Sequence, residues 1–510
     1  MPPKKPVPSL KGMSMNKVLY NICAVILDEM YFSEDEQWEV FESPVLSVRL
    51  QAVRDILGNS LLPSILEDIL NTILEKDEDV DTTVRFIALQ LLLVEGVNSL
   101  NIGHFPEDFY THVLDAVAHS AAELRKLDLK GLWVGNEHKF YLCKVLRRLG
   151  SIKNLTLRYK CDDELLGIIG KFCSDIQRLD ISGSIDITDV GFKSLYEGPR
   201  SSQISKSLQI IDLGGNGSKY VSPNHVSLLL CNLPNLVSLG TYERTGAALQ
   251  IAYKKNPDIK FGLRYLHDLF TTSERILIII RTCPNLGAIY LDSPKNVSVH
   301  NLDLLKNLKE IKLHKVRWDD IKILLEKCGE RIVSLILITI FGQLDLLEVG
   351  RLCPNLSRVE LHRTSLICSA TSHSFAFKKV SQVFIYTSEI STLCVKLILN
   401  QGTKIKHLSL GMCGQLTDAA VISCLMDHSL KEVEALWFGQ ADNLTMRTVD
   451  ALLEHCPVLN SLGNLAVWNV SGEDISMKQI ELILTNTDLV IHNIGPDDDD
   501  NRDHFVFVMA

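Results

Sequence analysis

The sequence predicts an α/β solenoid, a curved right-handed array of strand–helix repeats, behind an N-terminal α-helical domain. Three observations predict it. The first is one stretch, Ile405 to Leu425, reading IKHLSLGMCGQLTDAAVISCL. Ile405, Leu408 and Leu410 alternate with polar residues as a short half-buried strand does. Thr417 or Asp418 then offers a helix cap, and Leu416, Ala420, Val421 and Leu425 follow at helical spacing. Such a unit cannot bury its apolar face alone; it must stack on copies of itself. The second observation is that the copies exist. The pattern recurs fifteen times, from Val97/Leu100/Ile102 to Leu459/Leu462, and its central positions advance 362 residues in 14 steps, about 26 each. The third is the opening Cys-Pro-x-Leu at Cys283, Cys353 and Cys456, with variants at Cys173 and Leu233. Proline cannot continue a helix and presets an extended approach to the next strand.

Residues 1–12 are rich in Pro and Lys and are expected to form a disordered tail. Residues 13–96 lie outside the repeat and read as helices. In the first, Met15, Val18, Leu19, Ile22, Cys23, Ile26 and Met30 share one face, with Ser14 as a cap. The charged stretch Ser33 to Glu42 ends it. Ser43-Pro44 opens a second helix with Val45, Val48, Ala52, Val53 and Ile56 on one side, and Gly58-Asn59 closes it. Leu62-Pro63 opens a third, in which Leu66, Ile69, Leu70, Ile73 and Leu74 are apolar. An acidic break, Glu75 to Asp81, precedes a fourth that runs through Val94. The array is assigned to residues 97–494. Gly198 to Lys206 and Ser365 to Phe377 read as inserted loops, and Tyr242 to Gly246 as another within the least regular part, Gly240 to Phe270. Residues 495–510 form an acidic tail, Asp497 to Asp500, followed by Phe505-Val506-Phe507-Val508, which either caps the last repeat or extends from it.

The totals narrow the function. With 46% hydrophobic and 22% charged residues the chain is of ordinary globular composition, and a solenoid can grow linearly to 510 residues. A formal net charge of −10 disfavours nucleic acid and anionic membrane as main partners. Thirteen cysteines without paired spacing are expected to be reduced thiols. MPPKKPVPSLKG has no signal-peptide core, and the longest apolar run, Ile332 to Phe341, is too short to span a bilayer. A cytoplasmic or nuclear protein is expected. There is no GxxxxGK[ST], GxSxG, HExxH or Cys-x-x-Cys pattern, so no catalytic, cofactor-binding or metal-ligating residue is expected, and the chain is not expected to be an enzyme. Gly214-Gly215-Asn216-Gly217 follows a repeat strand and reads as its turn rather than a phosphate cradle.

The period and the Cys-Pro-x-Leu openings resemble the cysteine-containing class of leucine-rich repeats, familiar from F-box receptor proteins, over about Val97 to Ile494. The resemblance implies a leucine-rich-repeat horseshoe. Leu19, Cys23 and Leu27 form Leu-x-x-x-Cys-x-x-x-Leu, which resembles the BC-box (VHL-box) that binds Elongin C in cullin–RING substrate receptors. In that family the Leu enters an adaptor pocket and the Cys packs beside it; Val18 departs from the Ser, Thr, Ala or Pro usual before the Leu. Leu62, Pro63 and Leu66 resemble the start of an F-box, which docks on a Skp-type adaptor, or the cullin-selecting segment that trails a BC-box. Both stretches also read as plain amphipathic helices packed on their neighbours. The layout implies a non-catalytic substrate receptor bound to an adaptor and a cullin. A repeat scaffold that binds one protein partner without a ligase is the alternative.

In such an array the residues flanking each central apolar position line the strand face. Candidate substrate contacts there are Lys126, Lys130, Arg158 and Arg178 on the early strands, then Tyr290, Lys312, Arg358 and Trp437. The early strands lean basic and would suit an acidic segment of a protein substrate. Trp437 is a candidate anchor, since buried aromatic residues dominate many interfaces.

Overall fold

The structure, a computed structural model, describes residues 2–4, 9–32, 46–76, 79–215, 221–295, 298–369, 377–427 and 430–492. The chain divides into an N-terminal unit, Pro8–Asp268 with Arg281–Pro284, and a C-terminal unit, Asn285–Ala510 with Met1–Val7 and Leu269–Ile280. The readings placed on Ser33–Glu42, Ser43-Pro44-Val45, Asn216-Gly217, positions 370–376 and the tail 495–510 fall outside the described residues.

Four helices start the N-terminal unit. Helix α1 (Leu10–Phe32) begins four residues before the expected Ser14 cap, because Ser9 takes the Gly12 N–H on its Oγ at 3.0 Å. It packs by Ile22 and Ile26. Helix α2 (Val48–Ser60) starts at Ser47, which accepts from the Leu50 N–H, and packs by Leu50. Helix α3 (Pro63–Leu74) has Pro63 in its first turn and buries Leu66, Ile69, Leu70, Ile73 and Leu74, the five positions read as its apolar face. Helix α4 (Thr82–Leu92) starts at Asp81, whose carboxylate accepts from the Thr83 and Val84 N–H groups. Its Arg85 is 2% exposed, donates to the His104 carbonyl at 2.7 Å and lies over the Phe105 ring at 4.8 Å. A buried guanidinium is tolerable only with such partners.

Strands β1 (Ser99–Asn101), β2 (Lys126–Asp128), β3 (Asn154–Thr156), β4 (Arg178–Asp180) and β5 (Ile210–Asp212) form a parallel sheet in chain order. Leu100, Leu127, Leu155, Leu179 and Ile211 pair in register and are buried, each worth roughly 1.5–3 kcal/mol of apolar transfer. A parallel bridge from Ile210 to Ser238 continues the ladder, and β6 (Tyr265–Leu269) follows.

In the C-terminal unit β7 (Ala288–Asp292), β8 (Glu310–His314), β9 (Ser334–Ile338), β11 (Arg358–His362), β13 (Gln382–Glu389), β14 (His407–Met412), β15 (Ala435–Phe438), β16 (Ser461–Gly463) and β17 (Val490–Ile491) pair in parallel in that order. The short β10 (Gln343–Asp345) and β12 (Ser365–Ile367) form a separate parallel ladder. Cys353 and Cys456 end their helices, donating their N–H groups to the Val349 and Leu452 carbonyls, and Pro354 and Pro457 lie in the turns that follow. The Asn after such a proline reaches the previous repeat: Asn355 Nδ2 donates to the Glu330 carbonyl at 2.6 Å. The thirteen cysteines form no disulfide, and burial pushes the thiols of Cys353 and Cys456 up to about 12. These are packing thiols. Among the described residues no helix is long and apolar enough to cross a membrane.

The fold corrects several expectations. The stretch 1–12 is not wholly a disordered tail: Asp488 N–H donates to the Pro3 carbonyl at 2.7 Å, and Lys4 bridges Thr487. Within the Ser-rich insertion 198–206 a helix forms, Ser201–Ser207, because Arg200 O accepts the Gln203 and Ile204 N–H groups and Ile204 buries fully. Tyr242 to Gly246 is no loose loop: Tyr242 is buried, its hydroxyl donates to Val221 O at 3.1 Å, and a helix Thr245–Lys255 begins there. In the Ser365–Phe377 insertion, the first three residues are a strand rather than a loop.

Candidate protein-interaction surfaces

Two surfaces carry the candidate residues. The first belongs to the N-terminal helices. With Ile22 and Ile26 buried, the row Leu19, Cys23, Leu27 lies at the edge of the packed side of α1. Leu19 and Cys23 are half-buried, Leu27 is 39% exposed and Tyr20 is 65% exposed. Burial pushes the Cys23 thiol up, so it is an apolar contact and not a thiolate. On helix α2 the row Val48, Ala52, Ile56, read as one apolar side with Val53, faces outward: Val48 is 91% and Ile56 62% exposed. The helix packs instead by Leu50, with Val53 and Leu57 half-buried, and by Arg54, whose guanidinium donates to the Gln90 and Leu93 carbonyls. Leu62 is 66% exposed and Pro63 half-buried beside it. Leu66 is fully buried. That corrects its assignment as an adaptor contact: it is a core residue of α3.

The second surface is the strand face. In the N-terminal unit, Lys126 and Arg178 stand in one row, separated by Asn154. The adjoining row is Asn101, Asp128, Thr156, Asp180, Asp212. Its carboxylates offset the basic lean read from the sequence. Arg158 Nε donates to Asp180 at 2.6 Å, and Lys130 lies 4.0 Å from Asp128. Burial raises Asp212, with Asp180 adding to the shift, against the Gly214 and Thr241 N–H groups that it accepts. This face is a mixed-charge network, not a basic strip.

The C-terminal unit presents a different face. Its middle row is Tyr290, Lys312, Ile336, Glu360, Phe384, Ser409, Trp437, Gly463. Lys312 Nζ sits 4.3 Å from the Tyr290 ring centre; burial pushes this ammonium down to about 8, opposed by Glu360 and Asp292. Glu360 accepts from Arg358 at 2.6 Å and pairs with His362 at 2.8 Å. Burial would raise Glu360, but the hydrogen bonds from His362 and Arg358 outweigh it and hold the carboxyl below its usual range. Arg358 also covers Phe384 at 5.5 Å, Phe384 stacks with Tyr386, and His362 meets Tyr386 at 5.0 Å. Trp437 is half-buried against His492 at 4.9 Å. Its neighbour Gly463 makes this possible, since a Cβ there would meet the indole at 1.7 Å. Tyr290, Lys312, Arg358 and Trp437 were legible as face residues. Phe384, Tyr386 and Gly463 were missed, although the same flanking rule applied to β13 and β16 finds them.

These repeats, with in-register apolar strands and a Cys-Pro turn at the ends of two helices, define a leucine-rich-repeat protein. No protein-family model matches the chain. It is similar to F-box/LRR-repeat protein 4 of Bos taurus, 26% identical over 141 residues, which is 27% of this chain and 23% of that protein. The match thus spans under a quarter of the relative's length. Among solved structures, that of Rad7 and Elc1 in yeast covers 96% of this chain and 94% of its own at 15% identity and a TM-score of 0.39. An internalin of Listeria monocytogenes gives 13% identity and 0.30, covering 85% of this chain and 95% of its own. TLR13 in complex with ssRNA13 gives 12% and 0.32, covering 79% and 66%. These scores lie below 0.5, and the repeat architecture stands on the strands and helices described above.

Proposed function

We propose that this chain is a non-catalytic substrate-recognition subunit of a cullin–RING ubiquitin ligase, acting in the cytoplasm or nucleus. Helices α1 and α2 hold an adaptor of the Elongin C or Skp type, which carries the cullin, and the strand faces hold a protein substrate. One observation carries the reading. Two apolar rows lie beside the packed sides of their helices: Val48, Ala52 and Ile56 are exposed on α2, and on α1 Leu27 is exposed while Leu19 and Cys23 are half-buried. Large exposed apolar rows cost solubility unless a partner covers them. Helix-in-groove docking reads this i, i+4, i+8 spacing. The similarity to a protein named as an F-box/LRR-repeat protein supports the same class of partner. The strand face of the C-terminal unit supports the substrate role, with Trp437 and Phe384 as rigid anchors, the buried Tyr386 backing Phe384, and Arg358, Glu360 and Lys312 fixing orientation. The test is co-purification of the full chain with Elongin B/C and, separately, with a Skp-type adaptor. Loss of binding in Leu19→Ser or Leu62→Ser, with helix content unchanged, names the class; binding to neither adaptor removes the ligase reading and leaves the scaffold.

A further inference from the structure

The fold joins three residues that the repeat pattern gives no reason to connect. Glu107 stands in the short turn Glu107–Phe109 of the first repeat, and Glu137 with His138 in the matching turn Asn136–His138 of the second. One oxygen of each glutamate and one ring nitrogen of His138 lie within 4.8 Å of one another. His138 is 7% exposed, and Tyr110 holds its ring edge-on at 5.3 Å. Its Nδ1 lies 3.1 Å from Glu137 Oε1 without the alignment of a hydrogen bond, and it has no hydrogen-bond partner among the described residues. The Glu137 carboxylate is folded back over Gly135, where any Cβ would sit 2.0 Å from Oε1. Lys139, next in the chain, is drawn away by Asp162 at 2.5 Å and Glu164 at 2.7 Å, so it does not neutralise this pair.

A buried ring nitrogen whose near oxygen, Glu137 Oε1, does not meet it as a hydrogen bond is poorly satisfied. One divalent cation would engage that nitrogen together with both carboxylates. A donor set of one imidazole and two carboxylates suits zinc better than magnesium, which prefers oxygen alone. We propose that Glu107, Glu137 and His138 bind a zinc-class divalent ion, with water completing the shell, and that the ion clips the first repeat to the second. The proposal departs from the expectation of no metal-ligating residue. The sequence hid it because the ligands come from two turns about 30 residues apart.

The test is calorimetric titration of the chelator-treated full chain with zinc, for wild type, E107Q and E137Q. Both glutamates are exposed, so these variants should fold. The proposal expects one equivalent in wild type that each variant loses or weakens by at least about tenfold. It also expects a Co²⁺ complex at this equivalent without thiolate charge-transfer bands, not displaced by excess Mg²⁺. Zinc binding unchanged in both variants, a thiolate spectrum, or no zinc binding by wild type would overturn it.

Discussion

Trp437 stands where it does because Gly463, its in-register neighbour on β16, has no side chain. Gly463→Ala should therefore force the indole off the face and cost roughly 1–3 kcal/mol by overpacking. Trp437→Ala in the same chain should recover most of that loss. Thermal denaturation of the two single variants and the double variant measures the coupling; additive costs would contradict the contact. Leu62 and Leu66 form a second pair. Leu66→Ala removes a fully buried side chain and should cost about 2–5 kcal/mol, whereas Leu62→Ala, at 66% exposure, should stay within about 0.5 kcal/mol. Urea midpoints of the two variants decide it. At this scale the sequence showed residue type and strand position, which sufficed for Trp437 and Arg358. It did not show which residue makes room for which, because Gly463 lies 26 residues from Trp437 and their contact exists only once the strands are aligned.

Repeat is tied to repeat by element ends as well as strands. Asp418, at the start of helix Asp418–Asp427, accepts from the Thr445 N–H and Oγ1 at 2.9 and 2.7 Å and from Thr448 Oγ1 at 2.5 Å, at the start of the next helix. Burial pushes its carboxyl up, but those hydrogen bonds win and its pKa falls below the usual value. A carboxyl depressed in the folded state adds stability that is present above its unfolded pKa and lost as pH falls through the lower folded one. Asp418→Asn should thus destabilise near pH 7 by about 1 kcal/mol, and the gap to wild type should close as pH drops below about 4. Denaturation midpoints across that range check this; a gap constant with pH would contradict it. Thr417 and Asp418 were legible as a helix start, while the clamp onto Thr445 was not, since it spans a repeat. Helix α3 was read in full because its apolar residues form one stripe. Helix α2 was misread because it carries two apolar rows of the same period. Periodicity finds a row but cannot say whether that row faces the core or a partner.

Across the whole chain, the solenoid was legible because each repeat buries the same positions, Leu100, Leu127, Leu155 and Leu179 among them. The stretch around β6 was obscure because His267 and Asp268 are buried there, and a buried Asp268 that takes the Gly246 N–H at 2.8 Å does not look like a strand core in the sequence. The N-terminal residues could not be read as strand-like at all, since their partner, Thr487-Asp488, lies at the far end of the sequence. Nearest-neighbour stability confines the effect of losing them. Deleting residues 1–4 should speed amide exchange in 486–491 and leave β7 to β9 unchanged; uniform acceleration would contradict a local edge contact. The central claim concerns α1, and one measurement reaches it most directly: affinity of the full chain for Elongin B/C and for a Skp-type adaptor, with Leu19→Ser and Leu27→Ser beside wild type. The account predicts stable binding to one adaptor, weakened by about tenfold or more in both variants, with unchanged far-ultraviolet circular dichroism. Absence of binding to either adaptor, or equal binding by all three chains, would contradict it.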